Sequence, residues 1–188
     1  LYPFLYIEHE NVHNLHYQPN DPSYDQQCSM SSVKADKAWD FWNIASGFVP
    51  DGYYNIPFGE ANCINSGHDL SIITYGMGVH WALDYIKNNN DISIDLIDLR
   101  TLIPLDRSSI EKTVKKTGKV LILHEDSHIG GFGADIASFV SEYLFEYLDA
   151  PICRVSSLDT PIPFASDLEK KYLAKDRLVD AITSLYKY

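Results

Sequence analysis

Between Ser93 and Pro163 the chain carries three apolar runs, SIDLIDL, KVLILHE and ICRVSSL, each ending in a polar or Pro/Gly turn. Helical patterns separate them. A run that stays apolar instead of alternating belongs to a strand buried on both faces, and such strands sit in parallel sheets. Parallel neighbours cannot be joined by a hairpin, so the intervening helices act as crossovers. The turns say more still. DLRTLIPLD, HED…GGFGADI and LDTPIP are more particular than strand–helix alternation requires.

The same reading extends from about Phe58 to the end of the chain. GEANCI reads as a short first strand and Leu70 to Tyr75 as a buried one. GMG then turns into a helix over Val79 to Asn89, stopped by the NNND cluster. Asp106 suits the N-cap of a helix through Lys116, with Gly118 as its stop. After VLILHE come a glycine loop and a helix, then the ICRVSSL strand. Phe164 to Tyr172 reads as a loop or short helix, and Asp176 to Tyr186 as a closing helix. This alternation predicts a doubly wound α/β sandwich.

Upstream the texture changes. Tyr17 to Tyr54 is polar and rich in Asn, Asp, Ser, Pro and Tyr, with no sustained period. KADKAWDFWNIA suits one short helix with Trp39 and Trp42 on one face. The stretch reads as an excursion packed on a neighbour rather than a domain. LYPFLYIEHE lacks the basic flank and cleavage site of a signal peptide and looks like a strand of something larger, so the chain is read as a fragment.

A net charge of −11 disfavours nucleic acid as a main partner, because phosphate binding needs a concentrated basic surface. No apolar run approaches the roughly 18 residues that would cross a bilayer. Cys28, Cys63 and Cys153 are odd in number and widely spaced, which suits a reduced, cytoplasmic protein.

Five local patterns invite chemistry. His9-Glu10-Asn11-Val12-His13 fits HExxH, but it follows a strand-like segment and lacks the upstream sheet of a zinc protease; chance clustering is the better account. Gly76-Met77-Gly78 opens like a dinucleotide fingerprint, with Asp98 where a ribose-binding carboxylate belongs. Trp81 stands where the third Gly should be, so a tight strand-to-helix turn is preferred. His124-Glu125 ends a strand where open sheets carry functional groups, as an acid/base set or, preferably, in a hydrogen-bonding structural role. Gly130, Gly131 and Gly133 open the next helix, to cradle a phosphate or to admit another subunit. Asp149, ahead of the last strand, and a terminal carboxylate at Tyr188 form two exposed acceptors for a partner's Arg or Lys.

Together, GEANCI…GHDLSIITYG, DLRTLIPLD, KTGKVLILHED, GGFGADIASFVSE, LDAPICRV and DTPIPFASDLE resemble the C-terminal domain of the beta chain of 2-oxo acid dehydrogenases, relatives of transketolase. The resemblance runs in order over 56–188. The segment 1–17 is similar to the end of that family's pyrimidine-binding domain, and 18–55 is a longer linker or insertion than the family uses.

The resemblance implies a three-layer α/β/α sandwich around a mixed, mostly parallel five-stranded sheet, its first strand antiparallel. It implies an enzyme that decarboxylates a 2-oxo acid on thiamine diphosphate and magnesium, then acylates a lipoyl group. The cofactor would lie outside this fragment, which would itself bind none and be inactive. Partners would be the alpha and beta portions of the same enzyme, in a homo- or hetero-oligomer, and the subunit-binding domain of the lipoyl-acyltransferase. That domain would meet Asp149 and Tyr188, while Gly130, Gly131, Phe132 and Gly133 would form a subunit-contact loop. DLRT, LHE and DTPIP lean toward a branched-chain substrate. The alternatives are a pyruvate dehydrogenase, another transketolase-like enzyme, or a free-standing nucleotide-binding regulatory module.

Overall fold

A computed structural model describes residues 55–188. The HExxH pattern at His9–His13, Cys28, Trp39, Trp42 and nearly all of segments 1–17 and 18–55 lie outside the described residues. The elements below fall within one compact unit, Pro57–Tyr188.

Five strands form one sheet in the order β1-β3-β2-β4-β5. At its centre is β2 (Leu70–Thr74), every residue of which is buried. It runs parallel to β3 (Ile94–Asp98) on one side and to β4 (Val120–Ser127) on the other. Beyond β4 lies β5 (Cys153–Ser157), also parallel. At the other edge β1 (Asn62–Asn65) pairs antiparallel with β3, with an irregularity between Cys63 and Asn65. The antiparallel first strand and the parallel core match expectation.

The crossovers are α1 (Met77–Asn88), α2 (Arg107–Thr117) and α3 (Gly133–Tyr143), and α4 (Ser166–Tyr172) and α5 (Lys175–Tyr186) close the chain. α1 packs with α5, and α2 with α3, on opposite faces of the sheet. Alternation inside the apolar runs serves both layers. Val120 and Ile122 join Ile110, Val114, Ile136 and Val140 in one core cluster, while the equally buried Leu121 and Leu123 alternate with them. Each such side chain contributes about 1.5–3 kcal/mol by leaving water.

Helix ends follow their local chemistry. Asp106 accepts from the Ser109 N–H at 3.0 Å and caps α2, and Gly118 ends it at φ 66°, a left-handed turn that glycine adopts without strain. The NNND stop of α1 works through amides: Asn88 and Asn89 donate to the carbonyls of Asp84 and Tyr85 at 2.8 and 2.9 Å. α3 ends before the apolar pattern does, giving way to a 3₁₀ turn at Phe145–Tyr147.

One charge lies deep in the sheet. Asp95 on β3 accepts from the Thr113 hydroxyl, from Gly67 N–H at 3.1 Å and from Lys116 Nζ at 2.7 Å. Burial alone would raise its pKa. The Lys116 ammonium, the Thr113 hydroxyl and the Gly67 amide together hold it below the ordinary carboxylate value.

Candidate functional site

β2 leads through α1 to β3 on one side of it, whereas β4 leads through α3 to β5 on the other. The order therefore reverses between β2 and β4, and ligands of open α/β sheets bind outside the carboxyl ends of strands at such a point. Here that place holds Thr74 and Tyr75 from β2, and His124, Glu125 and Asp126 from β4.

His124 is fully buried, its ring parallel to that of Tyr75 (2° between planes) at 6.2 Å between centroids. Neither ring nitrogen has a hydrogen-bond partner of ordinary geometry. The imidazole packs against Tyr75 and the glycine turn, and the Asp126 backbone lies close enough to act on its charge. Burial pushes the ring's pKa down, Arg154 adds to that, and Asp126 pulls the other way. The ring is held neutral. Burial, then Asp126, pushes the Tyr75 hydroxyl up to about 12. Glu125 is half-buried where His124 is closed off, since successive side chains of a strand point to opposite faces.

The glycines explain why His124 is sealed. A Cβ on Gly131 would stand 2.7 Å from His124 Cε1, and one on Gly133 would overlap the ring at Nε2 and Cδ2. The first turn of α3 thus lies directly on the imidazole. α1 repeats the device, its Gly78 seated on the Thr74 hydroxyl. Both glycines let a helix approach a strand side chain. Trp81 is buried, and Asp98 turns back to accept from Arg100 N–H at 3.1 Å. Gly130, at φ 80°, has open space where its side chain would be, and Phe132 packs against the core.

Asp149 and the closing segment meet at the opposite end of the sheet, where β4 begins. Asp149 N–H donates to Gly118 O at 2.8 Å, and a Cβ on Gly118 would stand 2.8 Å from Asp149 Cγ. The next residue, Lys119, donates from Nζ to Tyr186 O at 2.9 Å and lies over the Tyr186 ring at 5.5 Å. Two consecutive residues thus hold the Asp149 turn and the end of α5. Asp149 is exposed, and Tyr188 is 70% exposed.

Sequence reasoning passed over a third constellation, His128, Arg154 and Arg177 on the outer side of β5. Its signal was a charged residue inside the apolar run ICRVSSL. Arg154 Nη2 meets His128 Nε2 at 2.7 Å, and Arg177 Nη2 reaches the carbonyls of Ser156 and Tyr172.

Among the described residues no group of three or more His, Cys, Asp or Glu suits a metal ion. No described helix is long and apolar enough to cross a membrane.

Residues 59–179 match the family model for the transketolase C-terminal domain. The chain is 39% identical over 145 residues to the pyruvate dehydrogenase E1 component subunit beta of Cyanidium caldarium, covering 76% of this chain and 44% of that protein. It is 43% identical over 119 residues to the 2-oxoisovalerate dehydrogenase subunit beta of Pseudomonas aeruginosa, covering 63% of this chain and 34% of that protein. A solved structure titled split gene transketolase, inactive beta4 tetramer, superposes with a TM-score of 0.63 at 26% identity, covering 77% of this chain and 46% of that one. The chain spans less than half the length of these relatives. With the matched turns running through all five strands, the chain belongs to the transketolase C-terminal domain family, among relatives that are beta subunits of pyruvate and 2-oxoisovalerate dehydrogenases.

Proposed function

We propose that this chain is the assembly and partner-docking portion of a thiamine-diphosphate-dependent 2-oxo acid dehydrogenase. In this reading the catalytic groups, thiamine diphosphate and magnesium belong to other portions of the enzyme, and this domain holds those portions together. The observation that carries the docking half is the exposed Asp149 carboxylate, packed against bare Gly118 with its backbone N–H on Gly118 O, beside a closing helix tethered through Lys119. A backbone already held before binding leaves less to order when a basic side chain reaches the carboxylate. The partner is the subunit-binding domain of a lipoyl-acyltransferase, which contributes basic groups to Asp149 and to the end of the chain at Tyr188. The glycine loop at 130–133 has its own internal reason at Gly131 and Gly133, so a subunit contact there rests on the exposed tip at Gly130.

The DLRT, LHE and DTPIP turns favour a branched-chain 2-oxo acid, but the pocket that selects substrate lies outside these residues. Competition between pyruvate and 3-methyl-2-oxobutanoate on the reconstituted enzyme decides that point.

The docking test is calorimetry of the reconstituted enzyme with a subunit-binding domain. Asp149→Ala is expected to weaken affinity at least about tenfold, as for a charge-assisted contact, while decarboxylation with an artificial electron acceptor is retained. Unchanged affinity would remove the docking assignment.

A further inference from the structure

We infer that the outer edge of β5 carries an oxyanion site, a pocket that takes a carboxylate or phosphoryl group between Arg154 and Arg177. The cavity is about 360 Å³ and is lined by His128, Arg154, Ser156, Ser157, Asp159 and Arg177. β5 is the last strand of the sheet, so this pocket opens on an edge that no described strand covers.

Both guanidinium groups are half-buried, and neither forms an ion pair among the described residues. Arg154 donates to His128 O at 3.2 Å and to His128 Nε2 at 2.7 Å. Arg177 donates to Lys171 O and Tyr172 O, each at 3.1 Å, and to Ser156 O. These acceptors are all neutral, and each guanidinium has more N–H donors than they occupy. Withdrawing a cation from water is costly unless an anion accompanies it. In a chain of net charge −11, two such cations in one cavity stand out. The one acid in the lining, Asp159, is turned to Ile129 N–H at 2.7 Å.

The pocket is also preorganised. A guanidinium only donates, so His128 Nε2 accepts from Arg154 and its proton sits on Nδ1, 3.0 Å from Ser156 Oγ. The Ser156 carbonyl holds Arg177 at the same time. One residue therefore orients both cations, Arg154 through the His128 ring and Arg177 directly. The volume lies near the low end for small-ligand sites, so it fits inorganic phosphate, a short organic acid, or one carboxylate side chain of a second copy of this chain.

The test is ¹H–¹⁵N titration of the full chain with phosphate and with succinate, at ionic strength held constant with sodium chloride. Saturable shifts are expected at Ile129, Ser156 and the Arg154 side chain. Arg154→Gln should weaken binding about tenfold or more, and Arg154→Lys, which keeps the charge but not the fork, by a smaller factor. Melting curves show whether each variant is folded; should the Gln variant fail to fold, the Lys variant must still bind at least about threefold more weakly. No saturable binding, shifts scattered over surface lysines, or wild-type affinity in the folded Gln variant or in the Lys variant would each overturn the site. Sedimentation in saturating phosphate separates the sources: an unchanged mass assigns the pocket to a free anion, and dissociation of a self-associated form assigns it to a neighbour's carboxylate.

Discussion

Asp106 holds more of the domain together than a helix cap ordinarily does. Its carboxylate accepts the Ser109 N–H at 3.0 Å, the Ser109 hydroxyl at 2.6 Å, the Ser108 hydroxyl at 3.0 Å and, from the approach to β1, the Ala61 N–H at 2.9 Å. Desolvation opposes the ionised form, but the Ser109 hydroxyl and the other donors outweigh it and lower the pKa to about 2. In Asp106→Ala the lost cap costs about 1 kcal/mol, and the stranded Ala61 N–H about 1 kcal/mol more. A loss of about 2 kcal/mol lowers Tm by roughly 6–10 °C for a domain of this size. The carboxylate's share is present above the unfolded pKa of about 3.9 and is lost as pH falls through about 2. Because the side chain is partly exposed, solvent screening reduces that share to about 1 kcal/mol. Urea melts of wild type, Asp106→Ala and Asp106→Asn at pH 7, 4 and 2.5 test both parts. Asn keeps one acceptor oxygen, so it should fall between the other two at pH 7 and close the gap to wild type as pH drops. A loss below about 0.5 kcal/mol in Asp106→Ala, or a wild-type-to-Asn gap that ignores pH, would refute the reasoning.

Asp95→Ala removes the buried carboxylate that pairs with the partly exposed Lys116 and strands the Gly67 N–H, while the Thr113 hydroxyl keeps Ser71 Oγ at 2.7 Å; a loss of about 1–3 kcal/mol is expected in denaturant melts. Gly133→Ala collides with the His124 ring and should destabilise by about 1–3 kcal/mol, with His124→Ala recovering part of that in a double-mutant cycle. His124→Leu should be close to neutral at pH 8, since no hydrogen bond is lost. Because the folded pKa of His124 lies below its unfolded value, wild type loses stability as pH falls below about 6.5; the Leu variant should lose less over the same range, as read by melts at several pH values.

The parallel core was legible because β2 and β4 are uninterrupted apolar runs, and burial on both faces leaves no other reading for them. β1 was less so. Asn62–Asn65 has no apolar pattern and owes its strand to pairing with β3, which is why the expected GEANCI strand sits too early. α1 begins at Met77 and not Val79, because Gly78 is needed inside the first turn to clear Thr74. The end of α3 carries no sequence signal: nothing at Leu144 marks a stop, yet the chain breaks there with φ −127° and resumes as a 3₁₀ turn. The sites divide the same way. Asp106 and Gly118 act through neighbours in sequence and could be named in advance. Arg154 and His128 are 26 residues apart and meet only because β4 and β5 pair. Asp149 and Gly118 are joined by an equally remote packing event.

The two ends of the sheet have been put to different uses, and glycine chemistry shows the division. At the carboxyl ends of β2 and β4, Gly78 and Gly133 draw helix starts down onto Thr74 and His124, so the crevice where such sheets hold ligands is filled by protein. Where β4 begins, Gly118 turns out of α2 with its bare Cα against the Asp149 carboxylate, and that carboxylate stays exposed. Glycine closes one end and presents a charge at the other. In the proposed reading the domain joins larger partners, and Asp149 beside Gly118 is the exposed acceptor it offers them.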